Sequence, residues 1–234
     1  MTVTIGIATM PGRQSSLIDT IESLAGQHDR LRIYANGITN TSFLDAYDCE
    51  VFTGEDLGDA GKFYTVGRLK KGVYVTCDDD LLYPEDFVER LLVGLDVYPG
   101  AVVGFHGWDA KPNSQSYHRD RAINYHFRQT IEDAHYCHVI GTGCTAFRVG
   151  DIKVSLSDFE RPNMADLWLS KLCNEQGVPR VVLPHERDWI QYCEKVDMGS
   201  TIWGKASRDP EKERFQTDLL NRIEWEKHEL NGIH

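Results

Sequence analysis

The first 105 residues alternate between short apolar runs and amphipathic segments. The apolar runs are rich in β-branched and aromatic residues and predict strands over 2–9, 30–35, 49–52, 72–77 and 101–105. Between them, the spacing of apolar residues predicts helices over 14–26, 59–70 and 84–97. This order predicts an α/β fold with a mostly parallel central sheet and helices on both faces. Ligands of such sheets bind at the carboxyl ends of the strands.

The second half of the chain has a less regular pattern. Residues 111–135 are polar and predict a loop or a mobile excursion. Short strands are predicted over 138–140, 144–148 and 180–183, with a helix over 165–176 that ends at Gly177. A charged helix with a sparse apolar stripe is predicted over 209–230. No repeat or composition break divides the chain, which predicts a single domain over residues 1–234.

Asp78, Asp79 and Asp80 follow directly on the strand predicted over 72–77. Three adjacent carboxylates repel one another at neutral pH, so solvent or a cation must offset their charge. In an extended backbone, residues i and i+2 point the same way, which predicts that Asp78 and Asp80 face one site. Two hard oxygen ligands on one side suit Mg²⁺ or Mn²⁺, which also bind substrate phosphates. The alternative is a solvated loop whose acidic residues precede a helix that begins near Pro84.

Further candidates lie where the other predicted strands end. The turn from Thr9 to Arg13 either presents backbone amides and a guanidinium to a diphosphate or base, or is an ordinary loop. Asn36 ends the second strand. In the small, flexible segment 58–62, Lys62 is a candidate contact to a ribose, base or phosphate, although the spacing of a Walker P-loop is absent.

The second half of the chain contributes its own candidates. Asp166 lies in the first turn of a predicted helix, where it either acts as a catalytic base at a cleft or complements the helix dipole. His185 follows a predicted strand and is a candidate metal ligand or phosphate contact, or a surface histidine. His106 and Trp108 follow the strand over 101–105, and Trp108 either stacks on a sugar face or belongs to the core.

The composition limits the classes of partner and compartment. A formal net charge of −11 over 234 residues disfavours nonspecific binding to nucleic acid or anionic membranes. No apolar run is long enough to span a bilayer, and the amino terminus lacks the basic region of a signal peptide. The six cysteines contain no C-x-x-C pair. These features predict a cytoplasmic protein with reduced thiols, without an integral membrane segment or a zinc site.

One locally basic segment stands against this acidic background. Residues 111–128 interleave lysine, arginine and histidine with tyrosine and phenylalanine. That pattern is typical of a surface that covers a polyanion or a stacked base. It is equally compatible with a lid over a bound diphosphate.

Together these residues resemble GT-A fold glycosyltransferases, in particular the large inverting family 2-like group, over residues 3–189. The D-x-D metal-binding motif of that fold is matched by Asp78-Asp79-Asp80. The patterns D-D-D-x-x-Y-P and N-M-A-D-x-W are similar to those of a small subgroup of bacterial and phage-type enzymes.

The resemblance implies roles for the candidate residues. The donor set it implies is Thr9, Arg13, Asn36, Lys62, Asp78 and Asp79. Asn36 stands where the family usually has an aspartate that reads uracil. The implied metal ligands are Asp80 and Asp78, with His185 as a further candidate, and the ion is Mn²⁺ or Mg²⁺. The implied catalytic base is Asp166, with alanine at position 165 where the family has a first acid. The acceptor-side candidates are His106, Trp108, Gly141, Thr142 and Gly143, followed by Arg148.

The resemblance also implies an organisation and an activity. Residues 1–105 form the nucleotide-sugar half, 106–208 the acceptor and catalytic half, and 209–234 a C-terminal helix. The implied activity is inverting, metal-dependent transfer of a hexosyl or pentosyl group from a nucleoside-diphosphate sugar, such as a UDP-sugar, to an acceptor hydroxyl. The acceptor is a glycan, a protein or a modified base of phage DNA. The alternatives are a nucleotide-sugar-binding module without catalysis and a sugar nucleotidyltransferase, whose Gly-rich first loop is absent from this sequence.

Overall fold

The structure, a computed structural model, describes residues 1–194 and 209–226. Its strands are, in chain order, β1 (Val3–Thr9), β2 (Arg30–Asn36), β3 (Glu50–Gly54), β4 (Val73–Cys77), β5 (Leu81–Leu82), β6 (Val102–Gly104), β7 (Gly107–Ala110), β8 (Arg121–Tyr125), β9 (His135–Tyr136), β10 (Val139–Ile140), β11 (Cys144–Arg148), β12 (Arg180–Val182) and β13 (Gln191–Tyr192). Its α-helices are α1 (Gln14–Ser23), α2 (Phe87–Val97), α3 (Ala165–Glu175) and α4 (Pro210–Arg222).

Eight strands form the central sheet, in the order β3-β2-β1-β4-β11-β6-β12-β9. β1, β2, β3 and β4 are parallel to one another, and β12 is parallel to β6. β11 runs against both β4 and β6, and β9 runs against β12. The expected α/β fold with a mostly parallel central sheet is therefore confirmed. Two small sheets, β10-β7-β8 and β13-β5, lie beside it.

The central strands bury both of their faces because successive side chains point to opposite sides of the sheet. On β4, Val73 and Val75 belong to one hydrophobic cluster while Tyr74 belongs to the other. The first cluster includes Leu17 of α1 and the second includes Leu167 of α3. The sheet thus separates two cores, each covered by helices, as the strand–helix rhythm predicts.

The strand directions place several chain segments at one edge of the sheet. β1, β2 and β4 end there, after Thr9, Asn36 and Cys77. Because β11 is antiparallel to β4, its first residue, Cys144, pairs with Cys77. The turn 141–143 that precedes β11 therefore lies beside the aspartate triplet that follows β4.

Two predicted elements differ in the structure. The helix expected over 59–70 is wrong, because the chain forms the 3-10 turns Gly58–Phe63 and Val66–Arg68 there. Glycines at 58, 61 and 67 weaken an α-helix, and at Gly61 a Cβ would overlap the ring of Tyr34. The loop expected over 111–135 is also wrong in part, since β8 lies within it and pairs antiparallel with β7. The five residues of β8, Arg-Ala-Ile-Asn-Tyr, do not alternate between apolar and polar side chains, so they lack the period that predicts a strand.

The helices are shorter than expected. α2 begins at Phe87 rather than Pro84, and Asp86 is its N-cap residue. α4 begins at Pro210 and ends at Arg222, and the part of the predicted tail beyond residue 226 lies outside the described residues. In the described parts of the chain, 1–194 and 209–226, no helix has both the length and the apolar character needed to cross a bilayer.

Candidate active site

The aspartate triplet lies in a turn rather than on a strand. β4 ends at Cys77, residues 79 and 80 form a turn, and the chain enters β5 at Leu81. The backbone N–H of Cys193 donates to the carbonyl of Asp80 at 2.9 Å and helps to fix this turn. The expectation of an extended backbone through the triplet is wrong, so the directions of the three carboxylates follow from the turn and from their partners.

Each carboxylate of the triplet has a different partner. The ammonium of Lys62 forms an ion pair with Asp78. The hydroxyl of Thr9 donates to Asp79 Oδ2 at 2.7 Å. The guanidinium of Arg13 forms an ion pair with Asp80 Oδ2 at 2.9 Å. Lys62, Thr9 and Arg13, which were separate candidates in the sequence, thus each contact a different aspartate of the triplet.

These pairings leave the triplet partly neutralised from within the protein. Burial, with the neighbouring charge of Asp80, raises the pKa of Asp79 to about 7. Burial and the charge of Asp78 also raise the pKa of Asp80, against the opposing effect of Arg13. The side chain of Asp78 is 42 % exposed and that of Asp80 is 14 % exposed. Asp78 is therefore the carboxylate of the triplet most open to a ligand.

Lys62 is the electrostatic centre of the site. Its side chain is almost fully buried, and its ammonium lies 3.4 Å from the carbonyl oxygen of Thr142 as well as against Asp78. Burial opposes its charge, but Asp78 and Asp59 hold the pKa of Lys62 above its ordinary value. Lys62 remains a cation and is engaged inside the protein, so its present position differs from the open donor contact that the sequence predicted.

Asp59 adds a carboxylate that the sequence analysis did not select. Its Oδ2 accepts the backbone N–H of Ala165 at 2.9 Å, at the start of α3. Its Oδ1 is buried and has no hydrogen-bond partner among the described residues. Burial raises the pKa of Asp59 to about 6, with Lys62 opposing and Asp166 reinforcing the shift. Asp59 therefore ties the 3-10 turn that carries Lys62 to the helix that carries Asp166.

The turn 141–143 connects the triplet with Asp166. A Cβ on Gly143 would overlap the carboxylate of Asp78, so a residue without a side chain is required for this close approach. The hydroxyl of Tyr83 donates to the carbonyl of Gly143 and accepts the backbone N–H of Asp78. On the other side, the backbone N–H and the hydroxyl of Thr142 each donate to Asp166 Oδ1 at 2.7 Å.

These two bonds orient Asp166 and leave its second oxygen uncommitted. Oδ2 of Asp166 accepts no hydrogen bond from a described residue, while Oδ1 is held by Thr142. Burial raises the pKa of Asp166, and the two bonds from Thr142 and the charge of Lys62 counteract the shift. Asp166 thus keeps one carboxylate oxygen available beside the 141–143 turn, and a carboxylate can act as a general base where a substrate proton comes within hydrogen-bond reach.

The side-chain amide of Asn36 forms hydrogen bonds with nearby backbone groups. Its Nδ2 donates to the carbonyl of Gly58 at 3.0 Å, and its Oδ1 accepts the N–H of Leu57 at 2.8 Å. The side chain is buried. In this structure Asn36 holds the start of the Gly58–Phe63 turn, and its amide does not point to an open base-binding position.

His106 and Trp108 lie beside the site but are covered. Trp108 is 2 % exposed and packs in the second hydrophobic cluster, so the core alternative describes it and the stacking alternative does not. His106 Nδ1 lies 3.1 Å from the carbonyl of Tyr125. Burial lowers the pKa of His106 to about 3, so its imidazole is neutral at pH 7. A Cβ on Gly141 would overlap the His106 ring, which places this histidine against the 141–143 turn.

Two candidates lie apart from the aspartates. His185 is buried, with Nδ1 2.8 Å from the carbonyl of Leu183 and its ring edge against Phe105. Arg148 ends β11 opposite Val73, at the far end of β4, and pairs with Asp96. Among the residues that the structure describes, no group of three or more His, Cys, Asp or Glu side chains is arranged to hold a metal ion.

The carboxylates of the triplet nevertheless fit a divalent cation whose other ligands come from substrate and water. Asp78 and Asp80 supply hard carboxylate oxygens, and the pKa of Asp80 is raised by burial and by repulsion from Asp78, which a cation would relieve. Mg²⁺ is commonly held by one or two carboxylates, with substrate phosphates and water as its other ligands. Both carboxylates would have to loosen their present ion pairs with Lys62 and Arg13.

Comparisons with known proteins give partial likenesses. No protein-family model matches this chain, and no curated protein sequence matches it. The chain is similar to the solved structure of glucosyl-3-phosphoglycerate synthase from Mycobacterium tuberculosis in complex with Mn²⁺, uridine diphosphate and glucosyl-3-phosphoglycerate. The sequence identity is 18 % and the TM-score 0.37, and the match covers 44 % of this chain and 43 % of that chain.

Two further structures of the same enzyme show similar values. The complex with phosphoglyceric acid has 19 % identity and a TM-score of 0.35, over 44 % of this chain and 43 % of that chain. The complex with Mn²⁺, uridine-diphosphate-glucose and phosphoglyceric acid has 19 % identity and a TM-score of 0.35, over 44 % and 42 %. Each likeness covers less than half of either chain.

Proposed function

We propose that this protein is a metal-dependent glycosyltransferase that moves a sugar from a nucleoside-diphosphate sugar to an acceptor hydroxyl with inversion. One observation carries the proposal. The turn 141–143 lies between the open carboxylate of Asp78 on one side and the oriented carboxylate of Asp166 on the other. A donor diphosphate beside the first and an acceptor hydroxyl beside the second would face each other across this turn. The D-x-D resemblance supports the same assignment.

Asp80 and Asp78 would hold Mn²⁺ or Mg²⁺ together with the donor diphosphate. When bound, the ion supplies neutralisation of the charge that develops on the departing nucleoside diphosphate. Arg13, which already reaches Asp80, would turn its guanidinium toward the diphosphate, for which a planar fork of donors is suited. His185 is left out of the proposed ligand set because both of its ring nitrogens face backbone carbonyls, Nδ1 at 2.8 Å from that of Leu183 and Nε2 at 3.4 Å from that of His126.

Asp166 would take the proton of the acceptor hydroxyl on Oδ2. Thr142 keeps Oδ1 in place through two hydrogen bonds, so that the free oxygen has a defined direction. Lys62 lowers the pKa of Asp166 against the effect of burial, which favours the ionised form that a base needs. Asp59 binds the amide of Ala165 and thereby fixes the end of α3 from which Asp166 projects.

The proposal also covers the recognition of the donor base and the class of the acceptor. With the amide of Asn36 engaged by the backbone, uracil would have to be read by other groups, among them the turn from Thr9 to Arg13. The acceptor classes that the bacterial and phage-type resemblance implies are a glycan, a protein and a modified base of phage DNA. The transferred group is a hexosyl or pentosyl residue.

A second candidate function is a nucleotide-sugar-binding module without catalysis. The ion pairs from Lys62 to Asp78 and from Arg13 to Asp80 favour it, because they offset part of the charge that would otherwise attract a divalent ion. Slow hydrolysis of the donor by the pure protein separates the two functions, since a catalytic site activates water when no acceptor is present and a binding module does not.

The metal-dependent activity is tested by sugar transfer or donor hydrolysis in Mn²⁺ and in EDTA. The proposal predicts loss of activity in the chelator. It also predicts that Asp80→Ala lowers kcat/KM by at least about 10²-fold, roughly 2.7 kcal/mol of transition-state stabilisation. Asp151→Ala, which removes an exposed carboxylate, is the control and should leave the rate unchanged. Full activity in EDTA would remove the metal from the mechanism.

A further inference from the structure

Arg121 is a half-buried cation, and one of its three guanidinium nitrogens donates to a described residue. It begins β8, and its guanidinium lies 4.7 Å from the ring centre of Trp108. Nη1 donates to the side-chain oxygen of Asn124 at 2.7 Å. Nε is buried and has no hydrogen-bond partner among the described residues. Burying a charged donor without a partner is costly, so Nε needs an acceptor that the described residues do not supply.

No carboxylate within the described residues pairs with Arg121. The arginines that do form such ion pairs are Arg13, Arg32, Arg90, Arg128 and Arg148. At the two ends of the basic segment 111–128, Lys111 pairs with Asp120 and Arg128 pairs with Asp188, each at 2.7 Å. Neutralisation at both ends argues against a continuous track for a polyanion. Arg121, between them, suits a single anionic group.

The strand pairing places Arg121 on the acceptor side of the site. Trp108, beneath its guanidinium, pairs with Val139 of β10, and β10 leads directly into the 141–143 turn. The negative charge of Asp166 acts on Arg121 and opposes the burial that lowers its pKa. Among the described residues the guanidinium of Arg121 donates to Asn124 and forms no ion pair with Asp166. Arg121 therefore lies near the proposed base without being bound to it.

The neighbouring histidines are compatible with an anion. Burial lowers the pKa of His126 to about 4 and that of His106 to about 3, with Arg121 adding to both shifts. Both imidazoles are neutral at pH 7. In this form they do not repel Arg121. The single N–H of neutral His106 faces the carbonyl of Tyr125, whereas Nδ1 of His126 accepts the N–H of Arg128 and leaves an Nε2–H that can donate to an anionic oxygen.

We propose that Arg121 is the anchor of an anion subsite that binds a phosphate or carboxylate group of the acceptor. The assignment of this anion to the acceptor rests on the proposed function, in which Asp166 is the base. Because Nε is buried, the guanidinium would have to shift outward for two oxygens of the anion to reach Nε and Nη2. Trp108 keeps the plane of the fork fixed from below.

The test measures anion binding to the full chain with small probes. Glycerol 1-phosphate and lactate carry the two candidate anions, and glycerol is the neutral control. In the wild-type protein, the anions should shift the NMR resonance of the Arg121 Nε–H group and glycerol should not. Calorimetry should show that Arg121→Gln weakens binding of the anions by about tenfold or more. Arg121→Lys, which keeps the charge but loses the fork, should fall between.

The matched control is Arg119→Gln, which removes an exposed arginine two residues away and should change anion affinity less than about twofold. Unchanged affinity in Arg121→Gln would overturn the proposal. If that variant does not fold, absence of the wild-type Nε–H shift overturns it equally. A parallel loss of nucleoside-diphosphate affinity in Arg121→Gln would assign Arg121 to the donor and contradict the acceptor subsite. Failure of the wild type to bind any nucleoside diphosphate would instead refute the proposed function, while the anion measurement still reports on Arg121.

Discussion

At the residue scale, the site is built around one buried ammonium and three carboxylates. Asp78 pairs with Lys62 directly, and Asp59 and Asp166 act on it through their charge. One cation cannot neutralise three carboxylates, so the remaining charge is accommodated by raised pKa values at Asp59 and Asp166. Clusters of this kind are where catalytic acids and bases are found, although ion-pair networks of purely structural role also produce them.

Replacing Asp166 separates catalysis from structure. Asp166→Asn keeps an oxygen that can accept both bonds from Thr142, so stability should change by less than about 1 kcal/mol. Loss of the general base predicts a fall in kcat of about 10²–10⁴-fold. Purified protein assayed for transfer and for thermal unfolding gives both numbers. The matched control, Asp86→Asn, removes the N-cap acid of α2 outside the cluster and should retain full activity.

Survival of activity in Asp166→Asn would assign this residue to the helix dipole alone. Retention of configuration at the anomeric carbon of the product would independently remove the proposed role, because a single displacement with a base inverts the centre.

The raised pKa of Asp59 predicts a specific pH dependence of stability. The folded protein binds a proton at Asp59 with a pKa of about 6, above the ordinary value of 3.8. The stability this group contributes is therefore present at pH 4 and is lost as the pH rises through 6. Asp59→Asn cannot titrate, so its stability relative to wild type should increase by about 2 kcal/mol between pH 4.5 and pH 7.

Urea unfolding of both proteins across this pH range measures the difference. Asp45→Asn, which removes an exposed aspartate outside the cluster, is the control for the loss of a carboxylate. A difference between Asp59→Asn and wild type that stays flat across this pH range would show that the folded protein does not hold the Asp59 carboxyl in its protonated form.

At the element scale, the 141–143 turn determines how close β4 and β11 bring their polar ends. Gly143→Ala would drive a Cβ into the carboxylate of Asp78, which is the far end of a flexible side chain. The stability of the folded protein should fall by about 1–3 kcal/mol, because Asp78 can rotate away only by leaving the buried Lys62 without its ion-pair partner. Donor affinity should fall by about tenfold, because the rotated carboxylate leaves both Lys62 and the proposed metal position.

Thermal unfolding and nucleotide calorimetry together test this prediction. The control is Gly67→Ala, where a Cβ meets nothing closer than 3.8 Å, and it should change neither quantity. Equal donor affinity for Gly143→Ala and wild type would show that the position of Asp78 does not matter for binding.

Helices and strands could be predicted from the sequence where the spacing of apolar residues alone determines the secondary structure. The sequences of β1, β2 and β4 are typical of strands that are buried on both faces. Because the three strands are parallel, their ends predicted that Thr9, Asn36 and Asp78 lie at the same edge of the sheet. The segment from Gly58 could not be assigned by period, since its glycines pack against Tyr34 and Asn163 rather than continue a helix. Local propensity contains no information about such contacts.

The contacts between site residues could not be predicted from the sequence for a similar reason. Lys62 and Asp78 are 16 residues apart and Asp59 and Ala165 are 106 apart, and no local pattern links them. Asp59 lies inside a segment the sequence analysis did single out, so a signal existed, but it pointed to the neighbouring lysine. Arg121 was visible as one of several basic residues, and its lack of a carboxylate partner emerges only in three dimensions.

At the scale of the whole molecule, the sheet gathers acidic, basic and hydroxyl groups from five segments at one edge. They come from the ends of β1 and β4, the turn that begins at Gly58, the 141–143 turn and the start of α3. In a chain of net charge −11, the cations at this edge, Lys62 and Arg13, are both committed to aspartates. For the proposed activity, a metal–diphosphate complex must therefore displace these internal ion pairs.

Calorimetry with nucleoside diphosphates tests that requirement directly. UDP, GDP, CDP and ADP are each titrated into the wild-type protein with Mn²⁺ and again in EDTA, and the best ligand is titrated into Asp80→Ala. We predict that at least one of them binds in the micromolar-to-millimolar range, and that removing the metal or the Asp80 carboxylate weakens its affinity by about tenfold or more. No binding by any of the four, or equal affinity with and without the metal, would contradict it.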